Sequence, residues 1–384
     1  MFLLTHSAVA FAKSPLIYFD TFLENRKAFV DLIQKADPKI WNLKTASWPL
    51  SGAQELSTDV AFFKNRTPQK TLLVISSGIH GIEGFVGSAL QRWVIAENIL
   101  AGPSDLKTDL AFIHILNPWG MQRGRRVDQK NVDLNRNFLI DAKNFQGTNA
   151  DYLKIDSFLN PTDSLSLSFF HRLGFLFDSV QFILRYSLET LRKSILIGQS
   201  DQPLGLYFRG KEFASVKARV DDFLQNDCKT YAKIIWLDLH TGYGENKRLH
   251  FLANDADSPL GQRLVKQFGA FNINFGNQKN FYKTDGDLAT YVSEKSSGDQ
   301  EINGLVLEYG TLNSQSTLGS IESLRRMVIE NQAFHHGGSF ESLNESTRQF
   351  RQMFFPREDD WAEAAVTQTR QALLNLNLGM QARH

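Results

Sequence analysis

The stretch "TLLVISSGIHGIEGF", residues 71–85, decides how the chain is read. A run of apolar and small residues, with the composition of a buried strand, stops at Gly78. His80 and Glu83 follow three residues apart, and "EGFVGSALQRWVIAENI" (83–99) then fits a helix. An imidazole and a carboxylate therefore arrive where a strand ends and a helix begins. In an open α/β sheet, ligands sit outside that end of the strands. A carboxylate at Glu83 would also lie near the positive end of the helix dipole.

The same rhythm continues on both sides. "DVAFFK" (59–64) reads as a strand neighbouring 71–76, with "NRTPQK" (65–70) as the polar turn between them. "LAFIHIL" (110–116), "KIIWLDL" (233–239), "RLHFLA" (248–253) and "NGLVLEYG" (303–310) read as further buried strands. Residues 18–35 carry apolar positions at helical spacing, and 361–377 read as a terminal helix. Strands alternating with helices predict an α/β sheet with helices on both faces. Residues 145–200 break the pattern with Phe, Leu and Ser at helical spacing. Strands of the same apparent sheet occur before and after them, so they predict a helical insertion within one domain spanning 18–384.

Residues 1–17 stand apart. "MFLLTHSAVAFAKSP" ends its apolar run in Ala10-Phe11-Ala12, the small-x-small pattern that precedes signal cleavage, but lacks a positively charged start. Two readings stay open: the tail of an export signal, implying a periplasmic or secreted protein, or an apolar extension packed on a cytoplasmic domain. The chain has Lys+Arg 42 against Asp+Glu 41, a net charge of +1 that gives no reason to expect nucleic acid or an anionic membrane as partner. No apolar run approaches the roughly eighteen residues of a membrane span, so no transmembrane segment is predicted. The single cysteine, Cys228, excludes an internal disulfide and reads as a buried small hydrophobe.

Three separate strand ends carry chemistry. His80 and Glu83 follow 71–76, His240 follows 233–239 in "LDLHTG", and Glu308 lies in "LEYGT". Two histidines and one carboxylate leave a fourth position open on Zn²⁺, the pattern of a catalytic zinc. A further carboxylate that is not a ligand suits a general base. Each signal alone is weak, because a lone histidine at a strand end is usually structural; the conjunction is what points to a site. "NPWGMQRGRRVDQKNVDLNRNF" (117–138) adds Arg123, Arg125, Arg126 and Arg136. An arginine-rich stretch is usually a solvated loop, but Arg beside Asn on a turn also offers a planar fork and an amide donor for a carboxylate.

In this order, "GIHGIEG", "NPWG", "DLNRNF", "LDLHTG" and "LEYGT" resemble the zinc carboxypeptidases of the M14 type. The wording "SGIHGIEGFVGSALQ" is most similar to a bacterial branch of them, the DUF2817 group, with aspartoacylase and succinylglutamate desuccinylase as more distant cousins. The resemblance covers roughly residues 18 to 320. It implies a three-layer α/β/α fold with a mixed, mostly parallel twisted sheet, and one zinc ion per chain held by His80, Glu83 and His240. It implies Glu308 as general base and then proton donor. Asn135 and Arg136 would hold the substrate's carboxylate, Arg126 would face the scissile carbonyl with Arg125 as the alternative, and Asp133 would bond the first zinc histidine. The implied substrate is a peptide or an N-acyl amino acid with a free carboxylate.

Departures from the digestive carboxypeptidases are expected at three places. Their mobile tyrosine falls between the last zinc histidine and the catalytic glutamate, where both Tyr282 and Tyr291 occur here. The insertion has no counterpart, and either narrows the cleft or simply adds packing. "LGLYFRG" (204–210) could bring a Tyr or an Arg into a specificity pocket, though Arg209 itself is a weak candidate. His335-His336 reads as a solvent-exposed loop. Function is therefore expected to be metallocarboxypeptidase action, with a deacylase of small N-acyl amino acids as the alternative and a non-enzymatic binding module disfavoured by the complete residue set.

Overall fold

The computed structural model describes residues 14–101, 106–253, 256–269, 272–275 and 285–379. Its strands are β1 (Trp41–Leu50), β2 (Ala53–Asn65), β3 (Thr71–Ser77), β4 (Asp109–His114), β5 (Lys233–Gly242), β6 (Leu249–Ala253), β7 (Asn272–Phe275) and β8 (Glu301–Gly310). They form one mixed sheet in the order β1-β2-β4-β3-β5-β8-β6-β7. The central strands β4, β3, β5 and β8 are parallel, while β1/β2, β2/β4 and β6/β8 pair antiparallel.

Helices that frame the core and the cavity include α1 (Phe22–Ile33), α2 (Gly84–Ile95), α3 (Phe169–Tyr186), α4 (Leu188–Leu196), α5 (Leu288–Glu294), α6 (Thr317–His336), α7 (Phe340–Phe354) and α8 (Asp359–Asn375). Alternation along the strands divides the core in two. Leu73, Ile75, Ile235, Leu237 and Leu239 face α1, α2, α7 and α8. Leu72, Val74, Ile234 and Trp236 face the other way, onto Val220, Phe223 and α5. Central strands buried on both faces explain why they read as continuous apolar runs. The result is the expected α/β/α sandwich of layers.

Three expectations change. β2 and β3 are not neighbours, because β4 pairs with both and lies between them. β1 and β7 were not foreseen: β1 is largely exposed and lacks a buried stripe, and β7 is four residues long. His335 and His336 form the last turn of α6 rather than a loop. The insertion is helical, comprising short helices Ala150–Leu153 and Asp156–Leu159 followed by α3 and α4, around a small core of Tyr152, Ile155, Leu159 and Ile195. Among the described residues no helix is long and apolar enough to cross a membrane. Most of the N-terminal segment 1–17 lies outside the described residues.

Candidate active site

β3, β5 and β8 run side by side in parallel, so their carboxyl ends open on one edge. Their register sets His240 of β5 directly opposite Glu308 of β8. β3 ends at Ser77, and Gly78 turns the chain with φ +68°. Gly81 then packs so tightly that a Cβ there would lie 2.2 Å from the backbone of Gly120 and Met121. The 3₁₀ turn Gly81–Glu83 is thereby seated on the short helix Pro118–Arg123, and Glu83 leads into α2.

His80, Glu83 and His240 are buried, with one ligand atom from each all within 4.8 Å of one another. Nδ1 of His80 lies 2.9 Å from Glu83 Oε1, and Nδ1 of His240 lies 3.0 Å from Glu83 Oε2. The far nitrogens meet carboxylates: His80 Nε2 is 3.1 Å from Asp133 Oδ1, and His240 Nε2 is 2.7 Å from Asp238 Oδ2. An ionised carboxylate can only accept, so each Nε2–H donates outward and each Nδ1 turns inward to Glu83. His80 Nδ1 is a buried nitrogen without an aligned hydrogen bond. A lone pair facing a carboxylate repels it, so a positive charge belongs between them.

The electrostatics agree. Burial alone would raise the Glu83 carboxyl, but His80 and His240 outweigh it and hold it below the usual carboxylate range. Burial alone would lower His240, but Asp238 and Glu83 raise it well above its ordinary value. A proton held there occupies the place a divalent cation would take. The donor set, two imidazoles and a carboxylate with both imidazoles oriented from behind, fits zinc.

Asp133 is fully buried and also accepts from Arg126 Nε at 3.3 Å and the Asn135 amide at 3.1 Å. Burial would raise its carboxyl, but Arg126 and His80 hold it well below the usual range. Arg126 donates through Nη1 to Glu83 Oε1 at 3.1 Å, so it stands against the cluster. Arg125 does not. Its guanidinium turns to Glu330 (2.8 Å) and Asn331 (3.0 Å) and stacks 3.7 Å from the Phe334 ring centroid, which removes it as the alternative.

Asn135 and Arg136 line the same cavity. The Asn135 side-chain carbonyl accepts from the Leu288 amide, which orients its NH₂ group. Arg136 is braced by two backbone carbonyls, Leu196 at 2.6 Å and Asn135 at 2.7 Å. From "LGLYFRG" it is Tyr207 that enters the cavity, its ring 5.6 Å from the Arg126 guanidinium and 5.9 Å from that of Arg136. Tyr207 holds φ +56°, a conformation side chains rarely adopt. Arg209 instead ties down the carbonyls of Ile197 and Gly198. Tyr291 is bound to Lys217 and Asp221 behind α5 rather than in the cavity, and Tyr282 lies outside the described residues.

Glu308 accepts the Tyr243 amide at 2.9 Å. Burial first, and then the negative charge of Glu83, push its carboxyl up to about 8. Sequence reading missed Asp238. It is the inner end of a buried chain in which the Trp236 indole donates to Ser76 Oγ (2.8 Å) and Ser76 Oγ donates to Asp238 (2.6 Å). The signal was present in "WLDLH", since residues two apart on a strand share a face. The cavity in front of these groups measures about 1040 Å³.

No curated protein matches the sequence. Solved structures that resemble the chain include carboxypeptidase A from Helicoverpa armigera, 14% identical with a TM-score of 0.44 over 87% of this chain and 73% of that one. A metallo-carboxypeptidase from Pseudomonas aeruginosa is 11% identical, TM-score 0.42, over 91% and 69% of the two chains. A succinylglutamate desuccinylase from Chromobacterium violaceum is 14% identical, TM-score 0.37, over 81% and 74%. The family model that matches, over residues 18–368, is described as a protein of unknown function, DUF2817, and this chain belongs to that family.

Proposed function

We propose that the chain is a zinc-dependent hydrolase that cleaves an amide bond beside a free carboxylate, acting as a metallocarboxypeptidase. The observation that carries this reading is the buried His80–Glu83–His240 cluster with Glu308, a carboxylate outside the ligand set, in register with His240. When bound, zinc would supply a Lewis acid that lowers the pKa of water and polarises a carbonyl. Arg136 and the Asn135 amide would hold the substrate's carboxylate and so fix the amide in front of Glu308. Glu308 would take a proton from the attacking water and return it to the departing amine. Arg126, already beside Glu83, would face the carbonyl oxygen as negative charge develops on it.

The alternative reading, a deacylase of N-acyl amino acids, uses the same groups. The wall contributed by the insertion favours it, because an apolar wall suits an acyl chain better than the polar backbone of an extended peptide. The test is to incubate the zinc-loaded protein with a mixed library of peptides and N-acyl amino acids and read the broken bond by mass spectrometry, with Glu308→Gln as control. Equal product from both proteins would remove Glu308 as base. Failure of the wild type to retain zinc after loading would remove both readings.

A further inference from the structure

The insertion contributes an apolar wall to the cavity: Phe158, then Phe182 and Ile183 of α3, Leu191 and Ile195 of α4, with Leu324 of α6 beside them. The polar groups that the insertion puts into this wall are already engaged, while the Ser323 hydroxyl of α6, which also lines the cavity, has no hydrogen-bond partner. Ser179 Oγ donates to the Phe175 carbonyl at 2.7 Å, and Arg192 is held by the Ser314 carbonyl and Ser320 Oγ. An extended peptide laid here would bury unpartnered amides, whereas a hydrocarbon chain would bury none. The wall is also tied to the carboxylate end of the site, since the Leu196 carbonyl at the end of α4 accepts from Arg136 Nε. At about 1040 Å³ the cavity as a whole, which also runs past polar groups such as Arg263, Gln300 and Asn303, is far larger than an acetyl group would fill.

We infer that the substrate is an amphiphile: an amide with a free carboxylate at Arg136 and Asn135, and a long aliphatic chain lying against α3 and α4. The bond cleaved rests on the hydrolase reading above; the chain rests on the cavity wall alone. The chain reaches the wall either from the acyl group or from the side chain of the amino acid, and the experiment separates these sources.

Hydrolysis would be followed for the acetyl, hexanoyl and decanoyl amides of one amino acid. In parallel, it would be followed for the acetyl amides of glycine, norleucine and 2-aminodecanoic acid. In one of the two series kcat/KM should rise about three- to fourfold per added methylene until the cavity is full. The series that rises identifies where the chain is attached. Cleavage of the acetyl compounds with flat or falling values in both series would overturn the amphiphile while leaving the hydrolase intact.

If no compound is cleaved, binding decides. Metal-free Glu308→Gln protein would be loaded with a fluorescent fatty acid and titrated with the long-chain and acetyl compounds. Displacement by the long-chain compounds only would sustain the chamber and remove the hydrolase; displacement by none would remove the chamber. Ile183→Trp, which fills the space, and Leu191→Gln, which makes it polar, should each lower the long-to-short rate ratio by at least about tenfold. Both residues are half-buried, and thermal melts would identify a variant that fails to fold. A ratio unmoved in a folded variant would overturn the assignment of this wall.

Discussion

Glu308 is pulled in opposite directions by its surroundings, and that tension makes it testable. With the cation absent, burial and Glu83 raise its carboxyl from an ordinary 4.5 to about 8. The folded chain then binds a proton that the unfolded chain has released, so this group's contribution to stability falls as pH rises from about 4.5 to about 8. Glu308→Gln cannot ionise. The melting temperature of the metal-free variant should therefore gain on metal-free wild type across that window, measured by calorimetry at several pH values. A bound cation favours the charged carboxylate instead, which is the form a base requires. In the zinc-loaded enzyme the same substitution should cost about 10² to 10⁴ in kcat while leaving the zinc stoichiometry unchanged. Asp238→Asn, which weakens the acceptor behind His240, should lower zinc affinity about 10- to 100-fold in a competition titration with a chelator. His80, Glu83, His240 and Glu308 were legible because each follows or ends an apolar run. Asp238 lies inside such a run, within β5, so the apolar pattern does not set it apart.

Elements, more than single residues, aim the ligands. The Gly81–Glu83 turn sits against the Pro118–Arg123 helix with no room for a side chain at Gly81. Gly81→Ala would drive a Cβ into backbone, not into a flexible side chain, so the turn must move. This substitution should reduce bound zinc together with stability, read by metal analysis and a melt, whereas Gly174→Ala, in α3 with open space around it, should leave zinc content unchanged. The choice between Arg125 and Arg126 also belongs to this scale. Both are arginines on one loop, and only its hydrogen bonds to the 3₁₀ turn, Gly81 N–H to the Arg126 carbonyl and Ile82 N–H to the Arg125 carbonyl, establish the register that points one inward. The insertion was visible as a helical interruption. Its inner face became a cavity wall through packing against α6, a contact between residues far apart in sequence.

For the molecule as a whole, the metal would couple the two halves of the sheet's open edge. His80 and Glu83 follow β3, and His240 lies near the end of β5, so a cation bound by all three would be bound by the folded chain only. Saturating zinc should stabilise the protein by about 2.7 kcal/mol when free metal is a hundredfold above Kd, and chelation should reverse the gain in a melt. The sign with pH follows from His240, whose raised proton must leave before a metal can take Nδ1. Zinc binding should release protons into a weakly buffered solution, and affinity should fall as the pH is lowered. Binding without proton release would show that the imidazole is neutral beforehand.

The sequence by itself determined the α/β layering, the helical interruption and the strand ends that carry the four principal side chains. Apolar runs of strand length and helical spacing are local properties, and both leave their period in the chain. Tertiary structure alone decided that β4 separates β2 from β3, that Arg126 and not Arg125 faces the cluster, and that Tyr207 enters the cavity. Those facts depend on strand order, loop register and contacts between residues distant in sequence. Such contacts arise only when the layers pack, and no local period records them.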